Sequence, residues 1–243
     1  MSDKEKFTFS EVLKHLNKLP EAETRKVVLV GGQALNFWAD VYLHQEPISH
    51  PFASKDLDFL MSEASSMGEI AKAWNAKLLV NDDITSTHWG FTVIQDMQQE
   101  IKADFMSAVH GLQNKDIRKK HVTINFDNLA LNIMHPIHCF KSRFENVVGL
   151  RRHNEHSVNQ LRVAIKMINI RIQRIIDDNS RDAHKEINTI FKYLKRSKSK
   201  RQELYNLFQI DLFDSIPDDE RLGENYIKKR YPQMKEFLKL KGQ

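Results

Sequence analysis

A short apolar run that stops at two consecutive glycines constrains the fold of this chain more than any other feature. Residues 26–30 (Lys-Val-Val-Leu-Val) form a nearly continuous apolar segment, which is typical of a buried strand. Gly31 and Gly32 follow at once and predict a tight turn. Residues 34–42 then carry apolar side chains at helical spacing. The segment therefore predicts a strand, a turn and a helix in direct succession.

The two halves of the chain differ in their predicted elements. Up to about residue 135, β-like runs alternate with helical ones, and further strands are expected at 56–61, 77–80, 88–94, 99–106, 122–126 and 129–134. Beyond it, helices are expected at 136–148, 156–178, 182–197, 199–208 and 223–240. We therefore expect an α+β fold: a mixed β-sheet flanked by helices in a domain 1–135, followed by an all-helical C-terminal domain 136–243.

Composition limits the class of protein but not its partner. The 243 residues carry 37 Lys and Arg against 32 Asp and Glu, and this net charge of +5 fits an anionic partner such as a nucleotide or RNA. A single cysteine, Cys139, excludes an intramolecular disulfide framework. No run approaches the ~18 apolar residues of a membrane span, and the N-terminus lacks the apolar core of a secretory signal. We expect a cytoplasmic protein with no membrane partner.

Three acidic side chains on predicted strands are the candidate catalytic residues. Asp56 and Asp58 are two positions apart on one strand, so their carboxylates point to the same face. Such carboxylates repel each other unless a cation lies between them, and hard oxygen ligands favour Mg²⁺ or Mn²⁺. Asp104, on another predicted strand, would complete a two-metal site. The paired glycines would let backbone N–H groups approach phosphate oxygens. Together these features indicate nucleotidyl transfer from a nucleoside triphosphate (NTP).

The motifs resemble those of the nucleotidyltransferase superfamily of the DNA polymerase β type. Val-Gly31-Gly32-Gln-Ala-Leu followed by Ser54-Lys-Asp56-Leu-Asp58-Phe is similar to the Gly-Gly/Ser and Thr-x-Asp-hydrophobic-Asp pattern of that superfamily. Gly-Gly-x-Ala-Leu is similar to the branch that holds AbiEii-type toxins and some aminoglycoside nucleotidyltransferases. The 23 residues between Gly32 and Asp56 are more than is usual in the superfamily, and Gln33 departs from its pattern.

The resemblance implies a nucleotidyltransferase fold and a role for each matching residue. Asp56, Asp58 and Asp104 would be the catalytic and metal-binding carboxylates for Mg²⁺ or Mn²⁺, with Asp104 nearest the acceptor hydroxyl. An NTP such as ATP would be held by four further residues: Gly31, Gly32, Ser54 and Lys141. The acceptor would be RNA such as tRNA, a protein or a small molecule, and a toxin of this kind would have an antitoxin partner.

Other interpretations stay open. An Asp-x-Asp occurs about once by chance in a chain of this kind, and a Gly-Gly pair is commonly a plain turn. The sequence also fits an inactive nucleotidyltransferase-fold protein that serves as a nucleic-acid- or protein-binding module. His135, His138 and Cys139 fit a helix start better than a zinc site. Residues 192–201 hold six positive charges and one tyrosine. This composition fits either an element that binds the RNA backbone or a solvated helix end.

Overall fold

The computed structural model describes residues 9–44, 56–81, 83, 87–96, 99–126 and 129–242. The chain divides into two compact units, one of residues 1–40 with 47–142 and the other of residues 41–46 with 143–243. The domain limits expected from the sequence, 1–135 and 136–243, stay a prediction beside this division.

A seven-stranded mixed sheet forms the centre of the first unit. Its strands in spatial order are β3-β4-β5-β2-β1-β7-β6. Strand β2 runs parallel to β5 and strand β1 parallel to β7, whereas the other neighbours are antiparallel. All seven strands lie within two residues of their predicted limits. Their bounds are β1 (Val27–Val30), β2 (Asp56–Met61), β3 (Leu78–Val80), β4 (His88–Asp96), β5 (Gln99–Met106), β6 (Val122–Phe126) and β7 (Leu129–Ile133).

Helices flank this sheet, and apolar side chains of its central strands form the core. All four residues of β1 are buried, as are Leu57 and Phe59 of β2. Two buried indoles add hydrogen bonds to the packing, because Trp38 Nε1 donates to the carbonyl of Met134 at 2.7 Å and Trp74 Nε1 donates to that of His15 at 2.9 Å. The helices are α1 (Phe9–Leu16), α2 (Glu21–Thr24), α3 (Gly31–Leu43), α4 (Ser65–Ala73), α5 (Asn114–Lys120) and α6 (Pro136–Phe144).

The second unit is helical, as the sequence predicts. The apolar spacing of the longest helix predicts a buried stripe of Val158, Leu161, Ile165, Ile168, Ile172 and Ile175, and all of these are buried except Ile175, which is half-buried. Its helices are α7 (Glu155–Asp178), α8 (Ser180–Arg196), α9 (Lys198–Phe208) and α10 (Tyr231–Leu238). Shorter turns complete it, with π-helical geometry at Glu145–Gly149 and Tyr226–Arg230 and 3₁₀ geometry at Leu212–Ser215 and Glu220–Leu222. The α+β prediction, a mixed sheet flanked by helices and followed by C-terminal helices, is therefore confirmed.

The last predicted helix is close to its expected extent. The helix expected over 223–240 is helical from residue 224 to residue 238, begins after Gly223 with its φ of +93°, and contains a π-helical turn at Tyr226–Arg230. Pro232 lies directly after this π-helical turn, where a residue without an N–H interrupts the regular backbone hydrogen bonding of a helix. Among the described helices, none combines the length and the apolar character that crossing a membrane requires.

Candidate active site

The pairing of β2 with β5 brings two of the predicted carboxylates together. Asp58 and Asp104 are register partners on these adjacent parallel strands, so their side chains leave the sheet on the same face. Asp56 lies two positions before Asp58 and shares that face, where its register partner is Lys102. The opposite face of β2 is occupied by fully buried Leu57 and Phe59. The alternation predicted from the sequence therefore places all three carboxylates on one face of two neighbouring strands.

Gly31 lies directly against the Asp58 carboxylate. It follows Val30, the register partner of Asp58 on β1, and it begins α3 with a φ of +66°. A Cβ atom at this position would lie 1.8 Å from Oδ2 of Asp58 and 2.6 Å from its Cγ. Glycine is therefore required twice, for the left-handed backbone and for the absence of a side chain. The reversal takes place at this one residue rather than in a separate turn between β1 and α3.

Asp104 is held by two cationic or polar neighbours. Its Oδ1 lies 2.7 Å from Nζ of Lys102 and 2.6 Å from Nε2 of His88. Asp104 is 9% exposed as a residue, whereas both partners are more open to solvent. The Lys102 ammonium also lies 4.7 Å from the centre of the Phe91 ring. Neither Lys102 nor His88 is among the site residues predicted from the sequence, although the i, i+2 spacing of Lys102 and Asp104 places both on one face of a strand.

A β-bulge explains why His88 reaches Asp104. The register of β4 on β5 shifts between His88 and Gly90, so Trp89 is an extra residue in β4. The register partner of Asp104 is Phe91, which is three positions from His88. In a regular strand, His88 and Phe91 would point to opposite faces, and His88 would then point away from Asp104. Gly90 also needs its missing side chain, because a Cβ there would lie 2.5 Å from the Leu79 carbonyl oxygen. A bulge of this kind leaves no periodic signal in the sequence.

The donor chemistry of this face fits a divalent cation. Three carboxylates supply the hard oxygen ligands that Mg²⁺ and Mn²⁺ prefer. In the part of the chain that the structure describes, no three His, Cys, Asp or Glu side chains are close enough together to hold a metal ion. The carboxylates are therefore aligned but not assembled as a ligand set, and Asp104 is engaged with Lys102 and His88 instead.

The remaining predicted nucleotide-binding residues lie in different places. Gly32 is buried in the first turn of α3, next to Gly31. Lys141 is half-buried on α6, and its positive charge contributes to a lowered pKa of His138. Ser54 lies outside the described residues. The roles of all three in nucleotide binding stay predictions.

The His135, His138 and Cys139 group belongs to a helix start. Nδ1 of His135 accepts a hydrogen bond from the backbone N–H of Ile137 at 3.2 Å and so caps α6. Sγ of Cys139 is buried and lies 3.5 Å from the carbonyl oxygen of Met134. Burial, with the nearby charge of Lys141, lowers the pKa of His138 to about 4 and keeps its imidazole neutral.

Comparison with known proteins gives likeness in fold only. No model of a known protein family matches the chain, and no curated protein matches it either. The chain is similar to the polyadenylate synthase of Megavirus, with 14% identity and a TM-score of 0.42 over 65% of this chain and 32% of that one. It therefore spans about a third of the length of that protein. It is also similar to an antigenic nucleotidyltransferase-like protein from Paracoccidioides brasiliensis, with 9% identity and a TM-score of 0.39 over 76% of this chain and 88% of that one.

Proposed function

We propose that this protein is a divalent-cation-dependent nucleotidyltransferase that moves a nucleoside monophosphate from an NTP to a hydroxyl group of an acceptor. The observation that carries the proposal is the in-register pairing of Asp58 with Asp104, next to a glycine that packs on the Asp58 carboxylate. A plain turn after β1 would not need a glycine at van der Waals distance from an acidic side chain. The three carboxylates share this face with one lysine, Lys102, so negative charge is in excess there.

Each residue of the face has a proposed role. Asp56 and Asp58 would hold Mg²⁺ or Mn²⁺, and Asp104 would be the third ligand, on the side of the acceptor hydroxyl. When bound, two such cations would activate the attacking hydroxyl and stabilise the leaving pyrophosphate. Gly31 and Gly32 would place backbone N–H groups of the first turn of α3 near the triphosphate.

The finer features of the function are proposals as well. The acceptor would be RNA such as tRNA, a protein or a small molecule. The resemblance to AbiEii-type toxins implies an antitoxin partner, and the cytoplasmic location expected from the sequence stays a proposal. Ser54 and Lys141 would complete the NTP site.

Incorporation of a labelled nucleotide tests the proposal. The protein is incubated with each α-³²P-labelled NTP, Mg²⁺ or Mn²⁺ and total tRNA, other RNA, protein or aminoglycoside. We expect transfer to one acceptor class that is lost on removal of the cation with EDTA. Asp58→Asn and Asp104→Asn should each lower the rate by roughly 10³-fold, because each removes a ligand worth several kcal/mol in the transition state.

A matched variant separates the chemistry from loss of charge. Glu69→Gln removes one exposed carboxylate from α4, outside the strand face, and should transfer at the rate of the unsubstituted protein. Thermal unfolding of all variants checks that the fold is retained. Equal rates for Glu69→Gln and the two Asp variants, with every NTP and acceptor, would refute the proposal.

A second function, a non-catalytic binding module of the same fold, is favoured by one specific observation. Oδ1 of Asp104 contacts both Lys102 and His88, and a protein that binds no metal would keep these contacts in its functional state. Direct titration with Mn²⁺ distinguishes the two. An enzyme should bind Mn²⁺, and Asp58→Asn should weaken that binding. A binding module should bind no Mn²⁺ with or without the substitution.

A further inference from the structure

The basic run over residues 192–201 is divided between the interior and the surface of the second unit. The half-buried Tyr193 donates its hydroxyl hydrogen to Glu145 at 3.3 Å, and Nζ of Lys200 lies 2.6 Å from the same carboxylate. Arg201 is 1% exposed and donates to the carbonyl of Leu238 at 2.5 Å. These three side chains stabilise the unit itself. The exposed residues of the run, which include Lys192 and Lys195, are therefore the ones that can contact a binding partner.

The outward cations of the run lie on a helix face that also carries aromatic rings. Asn188, Phe191, Lys192 and Lys195 of α8 are spaced by three or four residues and share one side of the helix. This side meets the segment that ends in α10. Asn188 accepts a hydrogen bond from Arg230, and Lys195 Nζ lies 4.9 Å from the centre of the Phe237 ring. We name these six residues the α8/α10 face.

Phe237 is the most exposed aromatic side chain of this face. It is 55% exposed, and its ring centre lies 5.9 Å from that of Phe191. A ring that packs on a second ring and adjoins a cation is an arrangement on which a nucleic-acid base stacks. The Arg230 and Phe237 contacts with α8 are seven residues apart, and so are their partners Asn188 and Lys195 on α8. Seven helical residues correspond to about 10 Å.

Charge complementarity favours a polyanionic partner for the α8/α10 face. Residues 143–243 carry 22 Lys and Arg against 14 Asp and Glu, a net charge of +8, whereas residues 1–142 carry 15 against 18, a net charge of −3. The excess positive charge of the protein therefore belongs to the helical part. Lys192 and Lys195 are exposed, and neither is ion-paired with any residue that the structure describes. One exposed acid, Glu236, adjoins Phe237 and lies 3.7 Å from Lys239.

We propose that the α8/α10 face binds single-stranded RNA, with a base stacked on Phe237 and the backbone phosphates held by Lys192, Lys195 and Arg230. A single strand fits better than a duplex because only unpaired bases are free to stack on a side chain. The choice of RNA over DNA rests on the acceptor class proposed above. The binding itself requires no nucleotidyl transfer.

Fluorescence anisotropy with a labelled 12-nucleotide single-stranded RNA tests this surface without NTP or divalent cation. Phe237→Ala should weaken binding about fivefold or more, since base–aromatic stacking contributes about 1 kcal/mol or more per base. Phe237→Leu, which keeps apolar area but loses the flat ring, should weaken it similarly. The double variant Lys192→Gln with Lys195→Gln should lower the slope of log K against log salt by about 1.4, at about 0.7 per phosphate contact.

Matched controls use the same unit. Arg162→Gln with Lys166→Gln removes two exposed cations from α7, and Leu207→Ala removes an apolar side chain that is 52% exposed. Both should leave affinity and salt slope unchanged. An equal loss of slope in the two cation pairs would indicate diffuse charge attraction and overturn the proposal.

Other outcomes also decide the question. Undiminished binding by Phe237→Ala, or tighter binding of the DNA of the same sequence or of duplex RNA, would overturn it. Dissociation of a dimer by Phe237→Ala with RNA binding unchanged would assign the face to a second copy of the chain instead. Because no transfer is measured, a protein that binds RNA here but transfers no nucleotide keeps this inference and loses the proposed function.

Discussion

Substitution of Gly31 by alanine is the sharpest test of the candidate site, because the structure gives two independent costs. The residue has a φ of +66°, which an L side chain adopts at a cost of about 1–2 kcal/mol. Its new Cβ would also lie 1.8 Å from Oδ2 of Asp58, where real Cβ contacts are essentially never under 3.0 Å. Either the helix start or the carboxylate must move by more than 1 Å.

These two costs predict different readouts. The backbone strain should lower the melting temperature by roughly 2–8 °C, at about 2–4 °C per kcal/mol for a chain of this size. The displaced Asp58 carboxylate should lower nucleotidyl transfer by about 100-fold, since a misplacement of about 1 Å costs that much in an oriented active site. The loss of rate should therefore exceed what the unfolded fraction explains at the assay temperature.

Gly68→Ala is the matched control for Gly31→Ala. Gly68 is exposed in α4, and a Cβ there would meet no atom within 4 Å. Alanine at this position should raise stability by up to about 1 kcal/mol and leave transfer unchanged. Calorimetric melting and the labelled-nucleotide assay are run on both variants in parallel. A Gly31→Ala protein that melts and transfers like the unsubstituted chain would refute the packing of Gly31 on Asp58.

Three further predictions concern stability. Burial and the charge of Lys141 lower the pKa of His138 from 6.5 to about 4, so the unfolded chain takes up this proton first. The free energy of unfolding should fall by up to about 3 kcal/mol as the pH is lowered from 6.5 towards 4, with no contribution above 6.5. Arg171→Met should destabilise the protein by about 3 kcal/mol, because it leaves the Glu186 carboxylate without its 2.7 Å partner. Asn154→Ala should cost about 1 kcal/mol, because the Asn154 side chain caps α7 by accepting from the Ser157 N–H.

Urea denaturation checks these three predictions, with one control for each. His138→Leu should flatten the acid side of the stability profile, and an unchanged profile would contradict the assignment to His138. Adding Glu186→Leu to Arg171→Met should recover most of the loss, since the carboxylate left unpaired is then removed. Asn154→Ser keeps a capping oxygen and should cost less than Asn154→Ala. A larger cost for serine would contradict the capping role.

The strands of the sheet were predictable because burial leaves a local pattern. Strand β1 is buried on both faces and appears as a continuous apolar run. In β2 the acidic residues alternate with fully buried Leu57 and Phe59. The sequence therefore predicts that Asp56 and Asp58 lie on the face opposite to the buried residues. The sequence does not predict that Asp58 has Asp104 as its register partner, because register depends on the assembled sheet.

The features that escaped prediction have physical reasons too. Helix α5 is rich in charge and buries only Ile117, so it shows no apolar period. The contact of His88 with Asp104 depends on the bulge at Trp89, which changes the face of the preceding residue. Even in the basic run, sequence could not separate Arg201, which is 1% exposed, from the exposed Lys195.

The parallel pairing of β1 with β7 also bears on how the chain is made. Leu29 is the register partner of Ile133, and the Asn132 side chain donates to the carbonyl of Val27, 105 positions earlier. During synthesis the valine-rich β1 is therefore made long before β7, and the backbone N–H and C=O groups on one of its edges stay unpaired until then. Such an edge can pair with other nascent chains. Fragments that end before residue 129 should accumulate as aggregates, whereas chains that include β7 should remain dispersed.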